Sequence, residues 1–345
     1  MKIVADENIP LLKGVLEPFS EVVYTAGKDI NASLVRDADA LLIRTRTKCD
    51  KELLANSAIK FIATATIGTD HIDLDYCAQN NIAVVSASGC NAPAVAQYVI
   101  TALLALSERK KKDLQNCTLG IIGVGNVGSL VYKSAQTLGI RVLLNDPPRA
   151  ARENNSEFIS LEKLLNHSDI VTLHVPLTKE TESIVNCSFL EKMNQNAWLI
   201  NTSRGEVIDE TALLQQRAKL DALILDVWRN EPQISKTLLA ATDIATPHIA
   251  GYSIQGKCKA TTMIVQAFAE FFEIETMKNF VAQTEVEETI IDLSDDFNTL
   301  QEAVFKAYSI FEDDELLRQQ PQNFEEIRNQ YNLRNCPVFQ QFSKF

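Results

Sequence analysis

Apolar residues fall in short bursts along this chain, and their spacing predicts a layered α/β protein. The runs Ile3-Val4-Ala5, Val22-Val23-Tyr24, Ala40-Leu41-Leu42-Ile43, Phe61-Ile62-Ala63 and Ile82-Ala83-Val84-Val85 are separated by helical patterns or by Asp, Asn and Gly turns. An unbroken apolar run bounded by polar turns suits a strand covered on both faces, so these segments predict a parallel sheet in one domain. From Ala92 to about Lys112 the apolar pattern lengthens into a single helix, with Asn91 placed to cap it and Pro93 in its first turn. That helix leads to a second α/β series: Leu119-Gly120-Ile121-Ile122, Val142-Leu143-Leu144, Ile170-Val171-Thr172-Leu173, Trp198-Leu199-Ile200 and Leu223-Ile224-Leu225. A further helix, roughly Gln255 to Glu273, returns the chain toward the first domain.

Beyond it the pattern changes. Thr289 to Leu293 predicts a strand and Phe297 to Phe311 a helix, while the remaining tail shows no obvious strand. From Val281 onward there are thirteen acidic against five basic residues, a shift that suggests a separate C-terminal unit. The expected organisation is therefore a first domain from 1–92 with 252–280, a second from 93–251, and a small α+β unit from 281–345.

At 345 residues the chain is too long for one ordinary core. Its 46% hydrophobic and 23% charged residues are ordinary for a soluble globular protein. No apolar stretch approaches the ~18 residues of a membrane span, and Met1 to Asn8 reads as a strand running into acidic residues rather than a signal peptide. Seven cysteines without CxxC pairing fit reduced thiols, so a cytoplasmic location is expected. A net charge of −12 speaks against nucleic acid as partner, since a phosphate backbone is held chiefly by Lys and Arg. Nothing suggests a membrane partner or a metal site.

Candidate chemistry begins at Gly123-Val124-Gly125-Asn126-Val127-Gly128, a GxGxxG directly after one strand and opening a helical pattern. Gly123 permits a tight turn, Gly125 lets backbone approach a pyrophosphate, and Gly128 lets helix and strand pack closely; the helix N-terminus attracts phosphate. The following strand ends at Asp146, where an acid can accept hydrogen bonds from ribose hydroxyls and repel a 2′-phosphate, favouring NAD over NADP. Arg149 nearby is a counter-indication.

Three segments close later strands, where open α/β sheets place their ligands: Asn201 to Gly205, Asp226 to Pro232, and Thr246 to Gly251. Oxidising a secondary alcohol requires loss of the hydroxyl proton as hydride leaves carbon, which suits the imidazole of His248. Glu231 can fix the tautomer of that imidazole, and Arg204 can clamp a substrate carboxylate.

Together these segments resemble the D-2-hydroxyacid dehydrogenase family, in matching order over most of residues 1–280. The resemblance implies two flavodoxin/Rossmann-like parallel-sheet domains with a cleft between them and a C-terminal dimerisation domain, shortened here, giving a homodimer. It gives Arg204, Glu231 and His248 the catalytic positions. Gly123, Gly125, Asn126, Val127, Gly128, Asp146, Thr202, Ser203, Asp226 and Gly251 take the NAD-contacting positions. Val175 departs from relatives that carry a hydroxyl there.

Asp6-Glu7-Asn8-Ile9-Pro10, Thr64 to His71, Ser88 to Ala92, Asn145 to Arg149 and His248 to Tyr252 are similar to a branch of the family acting on a phosphorylated hydroxy acid. On that likeness Thr45, Thr66 and Tyr252 contact substrate, and Arg44 and Arg46 are candidates for its phosphate. 3-Phosphoglycerate or another D-2-hydroxy acid is the rival substrate. An NAD-sensing interaction module is the rival of another class.

Overall fold

The computed structural model describes residues 1–284, 286, 290–292, 297–336 and 338–340. The chain forms two compact units, Met1–Asn91 with Ser253–Glu287, and Ala92–Tyr252 with Glu288–Phe345.

In the first unit, five strands, β1 (Lys2–Asp6), β2 (Glu21–Thr25), β3 (Ala40–Ile43), β4 (Phe61–Thr64) and β5 (Ala83–Ser86), form a parallel sheet in the order β2-β1-β3-β4-β5. Each strand points alternate side chains to opposite faces. Ile3, Ala5, Leu42, Phe61 and Ala63 therefore join one apolar cluster, and Val4, Leu41, Ile43 and Ile62 another. The first face is closed by the helix Ile254–Phe271, started by Ser253, whose hydroxyl accepts from the Gly256 amide at 3.0 Å. Its Phe268 is fully buried and meets Phe61 edge-on at 6.1 Å and Phe272 at 4.8 Å.

The second unit has six parallel strands, β6 (Thr118–Ile122), β7 (Arg141–Asn145), β8 (Ile170–Leu173), β9 (Ala197–Asn201), β10 (Leu220–Leu225) and β11 (Ile244–Ala245), in the order β11-β10-β9-β8-β6-β7. Both sheets thus run 2-1-3-4 and onward in their own strand order, the doubly wound pattern expected from the sequence. In each the connection reverses beside the first strand, which opens a crevice at the carboxyl ends of the strands. The long helix spans Ala92–Lys110 and is buried almost all round, as its continuous apolar pattern requires. The expected Asn91 cap is not made: its side-chain oxygen is buried with no hydrogen-bond partner among the described residues.

The C-terminal part differs from expectation. It does not stand apart but contributes to both cores of the second unit: Leu300, Val304, Tyr308 and Ile310 on one face of the sheet, Leu317 and Phe324 on the other. Its helices are Phe297–Ala307, Ile310–Gln319 and Phe324–Asn329, so the single helix expected over 297–311 is two. A short strand the sequence did not signal, β13 (Val338–Gln340), pairs in parallel with β12 (Ile290–Asp292). Thr289 and Leu293 of the expected strand lie outside the described residues. Among the described residues no helix is long and apolar enough to cross a membrane. All seven cysteines are free, and only Cys187 is exposed.

Phe268 fixes its helix to the first sheet, so Phe268→Ala should cost about 3–5 kcal/mol through lost transfer energy and the cavity left behind. Urea unfolding monitored by circular dichroism reads this; a loss below ~1 kcal/mol would show that the site collapses around the smaller side chain.

Candidate active site

The Gly-rich turn leaves β6 at the strand reversal. Gly123 has a left-handed backbone, φ +84°, and a Cβ there would meet the His174 carbonyl oxygen at 2.5 Å. At Gly128 a Cβ would stand 2.1 Å from the Gly123 carbonyl oxygen, so helix and turn can touch only through hydrogen. Gly125 is exposed with open space where a Cβ would project, as a position reserved for ligand backbone contact requires. Asn126 and Val127 open the helix Asn126–Thr137.

Asp146 stands at the end of β7. One carboxylate oxygen accepts from the Val124 amide at 2.8 Å and the other from the Arg149 amide at 3.0 Å, so the acid holds both the glycine turn and the next helix start. The Arg149 guanidinium is committed elsewhere: it donates to Glu153 at 2.8 Å, to the Val124 carbonyl at 2.6 Å and to Ser129 at 3.2 Å. The residue that counted against NAD thus turns out to be part of the turn's scaffold.

Glu231 and His248 are brought together. They follow adjacent strands, β10 and β11, and Nδ1 of the imidazole lies 2.8 Å from Oε2 of the carboxylate. The other carboxylate oxygen accepts from the Trp228 amide at 3.0 Å. Burial alone would raise the Glu231 carboxyl, but the His248 charge and hydrogen bond, the Trp228 amide and Arg328 together hold it below the usual carboxylate range. An ionised carboxylate can only accept, so Nδ1 must donate, and in the neutral form of the ring Nε2 carries the lone pair.

His248 has a left-handed backbone, φ +59°, which costs a β-carbon residue roughly 1–2 kcal/mol. Asp226, 1% exposed, holds that turn in place. Its carboxylate accepts from Thr246 Oγ1 at 2.7 Å and from the Ile249 and Ala250 amides at 2.8 and 3.0 Å. Its backbone carbonyl accepts from the His248 amide at 2.7 Å. Desolvation raises the Asp226 carboxyl despite these donors. From the sequence Asp226 is expected to contact NAD; the structure shows its side chain organising the His248 loop, which ends at Gly251 and Tyr252.

Arg204 follows β9, the neighbour of β10, and its guanidinium donates to the Ser203 carbonyl at 2.8 Å. Asn201, to which the sequence alone assigns no role, shapes this loop: it accepts from the Ser203 amide and hydroxyl at 3.0 and 2.7 Å and donates to the Arg204 carbonyl at 2.8 Å. At Gly205 a Cβ would sit 2.0 Å from the Trp228 carbonyl carbon. The Arg204 loop therefore packs backbone to backbone on the Glu231 loop. Thr202 Oγ1 lies 3.4 Å from His174 Nδ1, and desolvation pushes the His174 imidazole down to about 3, so it is neutral there.

In the first unit four of the five expected substrate residues follow neighbouring strands, while Tyr252 falls in the second unit. Arg44, Thr45 and Arg46 follow β3 and Thr66 follows β4; Arg44 Nη1 donates to the Asn8 carbonyl at 3.3 Å across the strand reversal. Thr66 Oγ1 lies 2.6 Å from Thr64 Oγ1, which in turn lies 3.3 Å from His71 Nε2.

Residues 96–250 match the family model described as D-isomer specific 2-hydroxyacid dehydrogenase, NAD binding domain. An erythronate-4-phosphate dehydrogenase of Bacteroides thetaiotaomicron is 45% identical over 97% of both chains. The chain belongs to the D-2-hydroxyacid dehydrogenase family. Its cofactor is NAD, which the Gly123–Gly128 turn and the committed Arg149 fit. A second relative, the erythronate-4-phosphate dehydrogenase of Photorhabdus laumondii, is 40% identical over 96% of this chain and 92% of its own. Among solved structures, D-lactate dehydrogenase from Aquifex aeolicus with NAD and lactic acid is 28% identical, with a TM-score of 0.67 over 83% of this chain and 100% of its own. The NAD-bound 3-phosphoglycerate dehydrogenase of Entamoeba histolytica is 27% identical, with a TM-score of 0.68 over 83% of this chain and 99% of its own.

The lowered Glu231 carboxyl carries a pH signature. A carboxylate held below its unfolded value adds stability above that unfolded value and loses it as pH falls through the folded one. Glu231→Gln should therefore cost about 1.5–3 kcal/mol at neutral pH, the worth of a hydrogen bond to a charged group, with the gap to the parent closing below about pH 4. Urea titrations at pH 7 and pH 3.5 check this; a gap that stays constant over that range contradicts an ionised Glu231 in the fold.

Proposed function

We propose that this protein oxidises 4-phospho-D-erythronate to (R)-3-hydroxy-2-oxo-4-phosphooxybutanoate with NAD, a step in the synthesis of pyridoxal 5′-phosphate. It does so as a cytoplasmic homodimer. The reading rests on the Glu231–His248 pair at 2.8 Å in a chain 45% identical to an erythronate-4-phosphate dehydrogenase along nearly its whole length.

NAD, when bound, supplies the acceptor for the hydride from C2 of the hydroxy acid. His248 Nε2 takes the C2 hydroxyl proton as that hydride leaves, so the products are the 2-oxo acid, NADH and a protonated His248. Glu231 stabilises the imidazolium that forms and keeps Nδ1 as the donor. Arg204 holds the substrate carboxylate and draws electron density toward the developing carbonyl oxygen. Gly123, Gly125, Asn126, Val127 and Gly128 would hold the pyrophosphate and Asp146 the ribose, while Thr202, Ser203, Asp226 and Gly251 would also contact NAD. Asp226 also holds the His248 loop. Thr45, Thr66 and Tyr252 contact the substrate, and Arg44 and Arg46 its phosphate.

Initial rates with 4-phospho-D-erythronate, 3-phosphoglycerate and D-lactate test the substrate; kcat/KM should be highest for the first, and a preference for 3-phosphoglycerate overturns the reading. His248→Asn should lower kcat by about 10²–10⁴, the usual worth of a general base, while leaving NAD affinity unchanged. Retention of near-parental turnover would remove His248 from the mechanism.

A further inference from the structure

The His248 loop is gripped from a second side by the C-terminal segment of the same unit. The edge strand β11 is two residues long, and the loop starts immediately after it. Asp314 accepts from the Ala245 amide of that strand at 2.7 Å. Arg318 binds Asp314 at 2.9 Å and donates to the Leu239 and Thr242 carbonyls at 3.0 and 2.6 Å. Further along, Arg334 donates to the Ile249 and Ala250 carbonyls at 3.1 and 2.5 Å. The amides of these two residues are the ones held by the Asp226 carboxylate, so Asp226 and Arg334 take the donors and the acceptors of one stretch of backbone.

Arg334 is itself fixed: its guanidinium lies 4.2 Å from the Tyr308 ring centre and 3.1 Å from the Tyr331 hydroxyl, and both tyrosines donate to Asp313. Arg328, on the helix Phe324–Asn329, reaches the chemistry directly. Its Nε donates to the Tyr252 hydroxyl at 3.0 Å, and its Nη1 stands 3.9 Å from Glu231 Oε2, the oxygen that faces His248. The Tyr252 ring is also met edge-on by Tyr331 at 6.0 Å.

We infer that the C-terminal segment is an intramolecular clamp on the His248 loop, in which Arg334 locks its backbone and Arg328 is a positioning residue joining Tyr252 to the Glu231–His248 pair. The clamp deepens the function proposed above and rests on it only for the role of His248 in turnover. Among the described residues, the charged and titratable groups acting on the pair are Asp226 at the end of β10, which acts on His248, and Arg328, which acts on Glu231; Arg334 stands on the carbonyl of Ile249, next to His248, and Tyr252 on Arg328. Arg328 is the cation on the Glu231 side. A cation there favours the ionised carboxylate and opposes the imidazolium. Removing it should therefore make His248 hold its proton to higher pH.

Two variants at one position separate charge from packing. Arg328→Met removes the cation and the donor to Tyr252; Arg328→Lys keeps a positive charge. In the NAD-free protein, NMR titration of His248 should shift upward by ~0.5–1 pH unit in R328M and return toward the parental value in R328K. In turnover, the acid limb of kcat/KM should move up by the same amount, with KM for the hydroxy acid raised several-fold and NAD affinity unchanged. If R328M does not fold, Arg328→Gln, neutral but still a donor, is read the same way. An unmoved His248 titration in the neutral variant overturns the clamp, as does an R328K titration displaced as far as that of R328M. Because the titration needs no substrate, it stands even if the parental enzyme fails to turn over 4-phospho-D-erythronate, which would sink the substrate reading instead.

Discussion

A buried carboxylate at the end of β10 sets the geometry of everything around it. Asp226 is almost entirely removed from water, and burial raises its carboxyl, so the fold carries a destabilising group at its chemical centre. Three short hydrogen bonds offset that cost, and two come from amides immediately after His248. The chain turns there with His248 in the left-handed region. The strain and the buried charge are one arrangement: the acceptor dictates the turn, and the turn aims the imidazole at Glu231. The pattern continues outward through Thr246, whose hydroxyl lies 2.7 Å from that of Tyr98 on the long buried helix and whose carbonyl accepts from the Trp228 indole at 2.9 Å. Side chains of the core thereby fix a loop that must also be accessible.

Close backbone contact performs the same task elsewhere. Gly205 lets the Arg204 loop lie directly on the carbonyl of Trp228, and Gly128 lets the helix after the glycine turn lie on Gly123. In both places a single methyl group would push apart two segments bearing site residues. Parallel topology makes such contacts possible, because the loops after β9, β10 and β11 leave the same edge of the sheet side by side. Three residues separated by up to 44 positions in the chain become neighbours in strand order.

Much of this was legible because it is local. Apolar runs gave ten strands, the glycine spacing gave the turn with a strand before it and a helix after it, and the chemistry of alcohol oxidation singled out Glu231 and His248. What escaped carried no motif or period of its own. Asn201 looks like any polar residue at a strand end, and only its three hydrogen bonds within the Arg204 loop reveal its work. β11 and β13 are too short to carry a period. The acidic balance after Val281 suggested a detached unit because charge counts do not show direction. Three of its five cations, Arg318, Arg328 and Arg334, point into the second unit, and isolated arginines in an acidic stretch were the available signal.

The same distinction between charge and direction explains how a chain of net charge −12 can hold an anionic dinucleotide. The Gly123–Gly128 turn offers an anion amides and the positive end of a helix, worth roughly half an elementary charge, rather than lysines or arginines. Distant carboxylates matter little, since exposed charges are largely screened beyond about 8 Å at physiological salt. Arg149, the cation close to the turn, contributes by construction: it ties the Val124 carbonyl and Ser129 to Glu153 and lies over Phe158, 5.5 Å from the ring centre. A guanidinium so engaged has few donors left for a 2′-phosphate, while Asp146 beside it spends one oxygen on the turn and one on the next helix. How far neighbouring residues occupy Arg149 is a property no count of charges near the motif can give.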